Sequence, residues 1–442
     1  MAKTPRELAF HTLLLAEKDT SQGIDDLLSN ALQKCDLNQQ EKRWVMELVY
    51  GVTRMKLQLD AMIMESFKGR YRKAQHAVKC LLRMGTFQLK YMHTSEHAAI
   101  NETVALSRKV KQSQASGLIN AVLRKTQNLE LEQIMAASTN VLDQLSIETS
   151  HPQWLLELWM GRYEMDEVRA LCNHNNSIPK TWIRRNVKKV DVSTFESFLG
   201  QMKVTYTKSS ILDIFYEIDS AGQLITSKEF HEGWFSFQDL AAGVVASLVE
   251  PGKGETVVDT CAAPGGKMAL ISEMAEDEVM IVACDASSKR LVKLHENIRR
   301  LGLKGVEVKV CDAAVSPLPE AEKMLLDVPC SGTGVLNRRP DARWKRQPND
   351  IPSLTNIQAQ ILSNSWQYLK PGGLLVYATC TLEPAENWGL LDSAFERLPG
   401  AELVPILNEK LKPYIDERGA LSTLPWRDGM DGMFAVKIRK SI

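Results

Sequence analysis

The second half of the chain alternates short apolar runs with amphipathic helical segments, beginning near residue 232. Such alternation is typical of a sheet of parallel strands that is covered by helices. A helix with one apolar face, ended by Gly302, is predicted between the second and third strands. We therefore expect an open α/β domain over residues 233–442. Its predicted strands are Glu255–Thr260, Met280–Cys284, Val306–Val310, Met324–Val328 and Leu374–Ala378.

The N-terminal part has a different pattern, in which apolar side chains recur at spacings of three and four residues. This spacing predicts helices, and strand-like alternation is scarce. Two of the helices run through Ala98–Lys109 and up to Lys125, with a polar turn at Lys111–Gln114 between them. We expect an all-α domain over residues 1–135.

A shorter region separates these two domains. Its Ser150-His151-Pro152 sequence is typical of a helix start, and apolar residues at helical spacing follow it. The segments Thr181–Arg184 and Ile211–Phe215 predict strands. Residues 146–232 are therefore expected to form a small α+β linking domain.

Composition argues against several classes of protein. No apolar run approaches the roughly 18 to 20 residues of a membrane span, and the first ten residues lack the apolar core of a secretory signal. Eight cysteines without a C-x-x-C pair argue against a disulfide framework and a structural zinc site. We expect a cytoplasmic monomer with no membrane or metal partner.

Charge is unevenly distributed along the chain, although the formal net charge is +0. Residues 1–130 hold 20 Lys and Arg against 13 Asp and Glu, a net charge of +7. This excess suits binding to nucleic-acid phosphates, and it is also compatible with a solvated helical surface. The basic residues between Lys68 and Lys125 are Arg70, Arg72, Lys73, Lys79, Arg83, Lys90, Arg108, Lys109, Lys111 and Arg124.

A loop of small residues, Asp259-Thr-Cys-Ala-Ala-Pro-Gly-Gly-Lys267, follows the first predicted strand. Its lack of bulk lets a ligand approach the backbone, and the helix after it offers N–H groups to a carboxylate or phosphate. The absence of G-x-x-x-x-G-K-[ST] and G-x-G-x-x-G patterns weakens the nucleoside triphosphate and dinucleotide interpretations.

Acidic residues follow the next two predicted strands, Asp285 after the second and Asp312 after the third. Ligands of open α/β sheets bind outside the carboxyl ends of the strands, so both carboxylates should face one crevice. Asp285, after the second strand, can bind two ribose hydroxyls, and Asp312, after the third, can bind an adenine amino group. The set predicts an adenosine site.

Two cysteines follow the fourth and fifth predicted strands, in Asp327-Val-Pro-Cys330 and Tyr377-Ala-Thr-Cys380. Two cysteines beside such a site suit covalent chemistry, for example the methylation of C5 in cytosine. That carbon is too weak a nucleophile to take a methyl group directly, and addition of a thiolate to C6 overcomes this by placing negative charge on C5. A carboxyl group near N3 would stabilise the adduct. Enzymes that methylate amino groups would be expected to carry Asn/Asp-Pro-Pro-Tyr/Phe here, so Cys330 favours carbon methylation.

Together, these residues resemble the bacterial 5-methylcytosine RNA methyltransferases, and among them the RsmB (Fmu/Sun) type, which modifies 16S ribosomal RNA. The resemblance covers nearly the whole chain. His97–Val104 and Gly117–Arg124 are similar to hallmark segments of the NusB-type RNA-binding helical fold, which many other cytosine methyltransferases lack. In the α/β domain the resemblance rests on Gln238-Asp239, Cys261–Lys267, Asp285, Asp312, Asp327–Cys330, Arg338–Trp344, Thr379-Cys380 and Asp431–Phe434.

The resemblance implies a NusB-like domain, a small linking domain and a Rossmann-like methyltransferase domain. It implies that Cys380 is the nucleophile, that Cys330 assists release of the product, and that Asp327 and Lys267 lie near the target base. Met268 stands where the family usually has Thr or Ser, which puts one hydroxyl contact in doubt. The residues implied around S-adenosylmethionine are Cys261, Ala262, Ala263, Pro264, Gly265, Gly266, Lys267, Asp285, Asp312 and Asp327.

A basic and aromatic segment, Arg338–Arg346, is typical of segments that bind single-stranded RNA, and it is also compatible with an exposed charged loop. A base reached by Cys380 has to be turned out of its stack. The prediction is transfer of a methyl group from S-adenosylmethionine to C5 of a cytosine in 16S ribosomal RNA through a covalent bond to Cys380. Two alternatives stay open: the same chemistry on transfer RNA or another RNA, and a non-catalytic RNA-binding factor.

Overall fold

In the computed structural model, residues 4–19, 21–136 and 138–442 are described. The chain forms two units, Met1–Ile178 with Leu336–Pro348, and Pro179–Val335 with Asn349–Ile442. The helices are α1 Pro5–Lys18, α2 Ile24–Gln33, α3 Gln39–Arg54, α4 Lys56–Ser66, α5 His76–Tyr91, α6 Glu96–Lys109, α7 Ser116–Thr126, α8 Leu131–Ala136, α9 Val141–Thr149, α10 Gln153–Met160, α11 Met165–Asn176, α12 Val192–Gln201, α13 Lys228–His231, α14 Leu240–Ser247, α15 Gly266–Met274, α16 Ser288–Leu301, α17 Ala342–Lys345, α18 Asp350–Tyr368, α19 Trp388–Phe395 and α20 Pro425–Asp428. The strands are β1 Thr181–Arg185, β2 Tyr206–Lys208, β3 Phe215–Ile218, β4 Phe235–Phe237, β5 Thr256–Asp259, β6 Met280–Asp285, β7 Val306–Val310, β8 Ala321–Asp327, β9 Leu369–Thr379, β10 Ala401–Val404, β11 Leu421–Ser422 and β12 Phe434–Lys440.

The first unit is helical, as the spacing of its apolar residues predicts. Helices α1 to α7 share one apolar core, in which Phe10, Leu48 and Leu123 are buried. Gly85 allows α5 to approach α7 closely, because a Cβ atom there would lie 2.6 Å from a methyl carbon of Leu123. Within the described residues, no helix has the length and hydropathy that crossing a membrane requires, and no group of three or more His, Cys, Asp or Glu is arranged around a metal position.

Arg83 lies in the interior of the first unit, with only 5% of its surface exposed. Its guanidinium contacts Asp60 at 2.6 Å and Glu17 at 2.7 Å. A buried and paired guanidinium cannot reach an RNA phosphate, so the prediction that Arg83 contributes to a basic surface is wrong. The side chains of the same stretch that are exposed include Arg70, Arg72, Lys73, Arg108, Lys109, Lys111 and Arg124.

The segment 336–348 belongs to the first unit, and its central arginine is buried there. Arg343 is 1% exposed, and its guanidinium donates to the carbonyl oxygens of Ser150 and Asn175 at 3.2 and 2.9 Å. Burial and the nearby charge of Arg54 lower the pKa of Arg343 to about 9. Arg343 therefore fastens the segment within the unit, and the prediction of a basic RNA-binding segment is wrong for this residue.

The linking region forms an antiparallel sheet in the order β2-β3-β1-β4. The predicted strand Thr181–Arg184 is present in β1, but the strand predicted at Ile211–Phe215 begins only at Phe215. The residues before it form a turn, in which the Ser209 hydroxyl accepts from the Ile211 N–H at 3.1 Å. A local hydrogen bond of this kind competes with strand pairing. The apolar side chain of Ile211 is buried although the residue is not part of a strand.

The main sheet has the order β10-β12-β9-β8-β5-β6-β7, with β11 paired to β12. The five predicted strands are present as β5 to β9, and they pair in parallel with one another. The chain passes from β5 to β6 and β7 on one side of the sheet, and then returns to form β8 on the other side of β5. The order of the strands reverses at this point, which opens a crevice at the carboxyl ends of β5 and β8.

Candidate active site

The loop after β5 crosses the carboxyl end of β6. The Ala262 N–H donates to the Cys284 carbonyl oxygen at 2.8 Å, and the Ala263 N–H donates to Asp285 Oδ2 at 3.3 Å. Gly265 has a φ of 103°, a backbone conformation that favours glycine, and α15 begins at the next residue. No side chain caps α15, so its first N–H groups lie at the crevice as main-chain donors.

Two side chains of α16 hold this loop, and sequence reasoning missed both. Arg290 donates to the Ala263 carbonyl oxygen and contacts Asp285 Oδ2 at 3.0 Å. Asn297 donates to the Pro264 carbonyl oxygen at 3.0 Å. Arg290 and Asn297 are seven residues apart, which places them on one face of the predicted helix, but nothing in their spacing indicates which loop they contact.

The two acidic residues lie at the ends of β6 and β7. Asp285 is buried and accepts from the Ser287 N–H at 2.9 Å, whereas Asp312 is exposed and accepts from the Ala314 N–H at 3.1 Å. The N–H of Cys311 donates to the Asp285 carbonyl oxygen at 3.1 Å, so the two segments are adjacent.

Lys267 and Asp327 form an ion pair in the crevice, with 2.7 Å between Lys267 Nζ and Asp327 Oδ2. Burial opposes the charge of Lys267, but the attraction of Asp327 more than offsets it, so the pKa of Lys267 is raised. A charge on Cys380 also contributes to raising it. The Lys267 ammonium therefore pairs with the Asp327 carboxylate and would attract a thiolate at Cys380.

Cys330 and Cys380 lie together, with 3.3 Å between their Sγ atoms. The Cys380 N–H donates to the sulfur of Cys330 at 3.3 Å. The hydrogen bond with Cys380 and burial raise the pKa of Cys330 well above its usual value. Two sulfurs this close do not both carry a negative charge, so loss of one proton from the pair leaves one thiolate and one thiol.

Sequence reasoning also missed two buried carboxylates near these groups. Glu386 is buried and accepts from the Ser331 N–H at 2.8 Å. Asp259, at the end of β5, is 1% exposed and accepts from the Cys261 N–H at 3.3 Å. Burial and the Asp327 carboxylate raise the pKa of Asp259 to about 7. No spacing in the sequence indicates Glu386. Asp259 could have been found from the sequence, because it is the first residue of the small-residue loop.

We expect Asp259→Asn to weaken the dependence of stability on pH. With a pKa of about 7 in the folded state against 3.8 ordinarily, Asp259 contributes stability that is complete below about pH 4 and lost as pH rises to about 7. The loss is at most about 1.4 kcal/mol per pH unit. Asn cannot titrate, so the free energy of unfolding should fall less between about pH 4 and 7 in the variant. Urea unfolding across this range measures the difference, and identical pH dependence in both proteins would contradict it.

The crevice fits S-adenosylmethionine. The Gln238 side chain is 9% exposed, and neither of its polar atoms has a hydrogen-bond partner in the described structure. The Gln238 side chain lies beside Gly266, the first residue of α15, because a Cβ atom on Gly266 would be 3.7 Å from Gln238 Nε2. A buried amide without partners is unfavourable, and the ammonium and carboxylate of a methionine group would satisfy it. The buried Asp285 carboxylate suits ribose hydroxyls.

Known sequence families match three parts of the chain. Residues 246–439 match the family described as 16S rRNA methyltransferase RsmB/F, and residues 3–128 match the NusB family. Residues 151–215 match the RsmF/B-like ferredoxin-like domain. These matches agree with the predicted NusB-like, linking and Rossmann-like methyltransferase folds.

Similar proteins span the whole chain. Ribosomal RNA small subunit methyltransferase B of Escherichia coli O157:H7 (strain EC4115 / EHEC) is 33% identical over 96% of this chain and 95% of its own. The protein of the same name from Pseudomonas putida is 32% identical over 98% of both chains. The crystal structure of PH0851 covers 100% of both chains with a TM-score of 0.86 and 24% identity, a likeness of fold. The chain thus belongs to the ribosomal RNA small subunit methyltransferase B family, and its cofactor is S-adenosylmethionine.

Proposed function

We propose that this protein methylates C5 of a cytosine in 16S ribosomal RNA through a covalent bond between Cys380 and C6 of the base. The observation that carries the proposal is the pair of sulfurs of Cys330 and Cys380, 3.3 Å apart. A charge on Cys380 interacts with Lys267, which is paired with Asp327. A carbon methylation of this kind needs a nucleophile that can add and leave again, and a second group that assists departure. The names of the relatives support ribosomal RNA as the substrate.

Cys380 is the attacking sulfur in this proposal. In this assignment Cys380 is the thiolate and Cys330 is the thiol, because a charge on Cys380 interacts with the Lys267 ammonium, which stabilises a thiolate there. The Cys380 sulfur forms a bond to C6, and the electron pair of the C5–C6 double bond moves to C5 and is shared through C4 with N3, which makes C5 nucleophilic. Asp327 accepts a hydrogen bond from the protonated N3, which stabilises the added ring.

S-adenosylmethionine, when bound, supplies an electrophilic methyl group. The cofactor would be held by the loop Cys261–Lys267, Asp285 and Asp312. The C5 proton must then leave to a base, and the electrons of that C–H bond restore the double bond and expel the Cys380 thiolate. Cys330, at 3.3 Å, assists this release. The two cysteines therefore have opposite tasks in one cycle.

The proposal divides the chain into an RNA-binding domain at 1–135, a linking domain at 146–232 and a catalytic domain at 233–442. The exposed basic side chains of the first of these, between Arg70 and Arg124, would contact RNA phosphates. A monomer suffices, because the residues in catalytic roles come from one chain. Ribosomal RNA has to offer the target base unstacked, as other enzymes that act on bases require.

The direct test supplies small-subunit RNA and methyl-labelled S-adenosylmethionine to the purified protein. We expect the label in 5-methylcytidine after digestion to nucleosides, and label on an exocyclic nitrogen would contradict the carbon methylation. Bisulfite sequencing of RNA from cells with and without the protein then identifies the substrate. A protected cytosine in transfer RNA, with 16S RNA unchanged, would replace the substrate in the proposal and leave its chemistry intact.

A further inference from the structure

A buried hydrogen-bond network lies beside the two cysteines, and the chemistry above uses none of its members. It centres on Glu386, which is fully buried at the end of the 3-10 turn between β9 and α19. Glu386 Oε1 accepts from the Ser331 N–H at 2.8 Å and from Gln358 Nε2 at 2.9 Å. Glu386 Oε2 accepts from the hydroxyl groups of Ser331 and Thr381. Four donor groups therefore converge on one carboxylate.

One half of this network holds the loop that carries Cys330. Ser331, the next residue, is bound to Glu386 through both its N–H and its hydroxyl group. Gln358 of α18 binds Glu386 and also donates to the Pro329 carbonyl oxygen at 2.9 Å. The residues before and after Cys330 are thus both attached to the same pair of side chains.

The other half holds the loop that carries Cys380. The Thr381 hydroxyl contacts Glu386 Oε2 at 3.1 Å. Asn387 completes the attachment, since its Oδ1 accepts from the Thr379 hydroxyl at 2.6 Å and its Nδ2 donates to the Thr381 carbonyl oxygen at 3.1 Å. The residues on both sides of Cys380 are therefore held by two consecutive side chains.

We propose that Glu386 and Asn387 are positioning residues that fasten the Cys330 loop to the Cys380 loop and set the separation of the two sulfurs. The link between the loops is direct, because the hydroxyl oxygens of Ser331 and Thr381 are 2.6 Å apart with Glu386 against both. Catalytic geometry is sensitive to such attachments, and a displacement of about 1 Å can cost a rate of about 100-fold. The catalytic meaning of this inference rests on the proposed function, whereas its geometry does not.

A carboxylate suits this position because the groups that surround it donate hydrogen bonds and it accepts them. The two N–H groups point at Oε1 and the two hydroxyls at Oε2, so each oxygen has two partners. The charge of Glu386 also adds to the hydrogen bond and burial that raise the pKa of Cys330. Gln at this position keeps the shape and the Oε1 acceptor, and its amide can still donate to the two hydroxyl oxygens.

The first test measures geometry without RNA or cofactor. Diamide oxidises two neighbouring thiols to a disulfide and takes up both hydrogens, and a disulfide needs sulfurs about 2.05 Å apart. The Cys330 and Cys380 sulfurs at 3.3 Å need only a small movement. We expect Glu386→Ala to slow formation of this disulfide about tenfold, as measured by peptide mapping, because the loops can drift apart. Glu386→Gln should not slow the reaction, because it keeps the attachments of both loops, and loss of the Glu386 charge makes Cys330 easier to ionise.

A matched control separates this effect from general destabilisation. Glu273 is another buried carboxylate of the same unit, and it pairs with Arg184 away from the cysteines. Glu273→Gln should destabilise the protein and leave the rate of the Cys330–Cys380 disulfide unchanged. A slowed disulfide in this control as well would show that loss of stability alone moves the sulfurs, and would overturn the assignment to Glu386.

The second test is kinetic. Glu386→Ala should lower kcat by about 100-fold and leave KM for RNA within about twofold, because the loops position sulfurs and not phosphates. Glu386→Gln should recover most of the loss. Wild-type disulfide formation and kcat in a folded Glu386→Ala protein would refute the proposal.

Two milder variants cover the case in which Glu386→Ala does not fold. Asn387→Ala and Ser331→Ala each remove fewer bonds and should slow the disulfide in the same direction, and wild-type rates in both would also refute the proposal. The outcome is independent of the proposed chemistry. If the disulfide rates behave as expected but no 5-methylcytosine is formed, the positioning role stands and the methylation chemistry fails.

Discussion

Cys380→Ala is expected to reduce methyl transfer to background, a loss on the order of 10⁴ to 10⁶-fold, since removal of a covalent nucleophile has effects of this size. Without the sulfur, C5 of cytosine has no route to the negative charge that it needs. RNA binding should be preserved, because the basic surface of residues 1–135 is unchanged. Methyl transfer from labelled cofactor and RNA retention on a filter measure the two quantities separately.

Cys330→Ala is expected to give the complementary result, a covalent complex of protein and RNA that accumulates. Addition by Cys380 and methyl transfer still proceed, whereas release loses the group 3.3 Å away that assists it. Denaturing gels detect the complex as a band of reduced mobility. Cys35→Ala, at a half-buried cysteine in the other unit, is the matched control and should behave as wild type. A covalent complex that persists in Cys380→Ala would contradict the assignment of the nucleophile.

A large effect on stability is expected from loss of a buried ion pair. Glu273→Gln is expected to lower the free energy of unfolding by about 3 to 5 kcal/mol. Glu273 on α15 and Arg184 on β1 form an ion pair in which both side chains are about 1% exposed. Burial raises the pKa of Glu273 and lowers that of Arg184, so burial outweighs the attraction for both groups. Each charge depends on the other, and the variant leaves the Arg184 guanidinium buried beside a neutral group.

Urea unfolding followed by circular dichroism measures this loss. The double variant Arg184→Met with Glu273→Met removes both charges and fills similar volume, so it should recover most of the stability that the single variant loses. A double variant that is less stable than Glu273→Gln would show that the pair contributes more than burial costs. Because the pair joins the linking sheet to the helix that begins at the cofactor loop, a loss of cofactor affinity in Glu273→Gln would accompany loosening of α15.

The main sheet could be predicted because its pattern is local. Parallel strands that are buried on both faces consist of continuous apolar runs. Strands β5 to β9 are all present within a few residues of the predicted bounds. Once the strands are known, their carboxyl ends share one edge of the sheet, which brings together Lys267, Asp327, Cys330 and Cys380. The resemblance to the RNA cytosine methyltransferases implies a role for each of them. The strand predicted at Ile211–Phe215 failed because a turn bonded through Ser209 satisfies the same apolar run.

The sequence alone therefore determined the strand-end residues, since chain direction and periodicity decide which residues end a strand. Only the tertiary structure decided which side chains hold them. Arg290, Glu386 and Asn387 act across spans of 6 to 55 residues, and no periodicity records a contact between two loops. Packing likewise decides which basic side chains are exposed. By sequence, Arg83 and Arg343 could belong to a phosphate-binding surface. In the structure both are buried, Arg83 against carboxylates and Arg343 against carbonyl oxygens, so their role is structural.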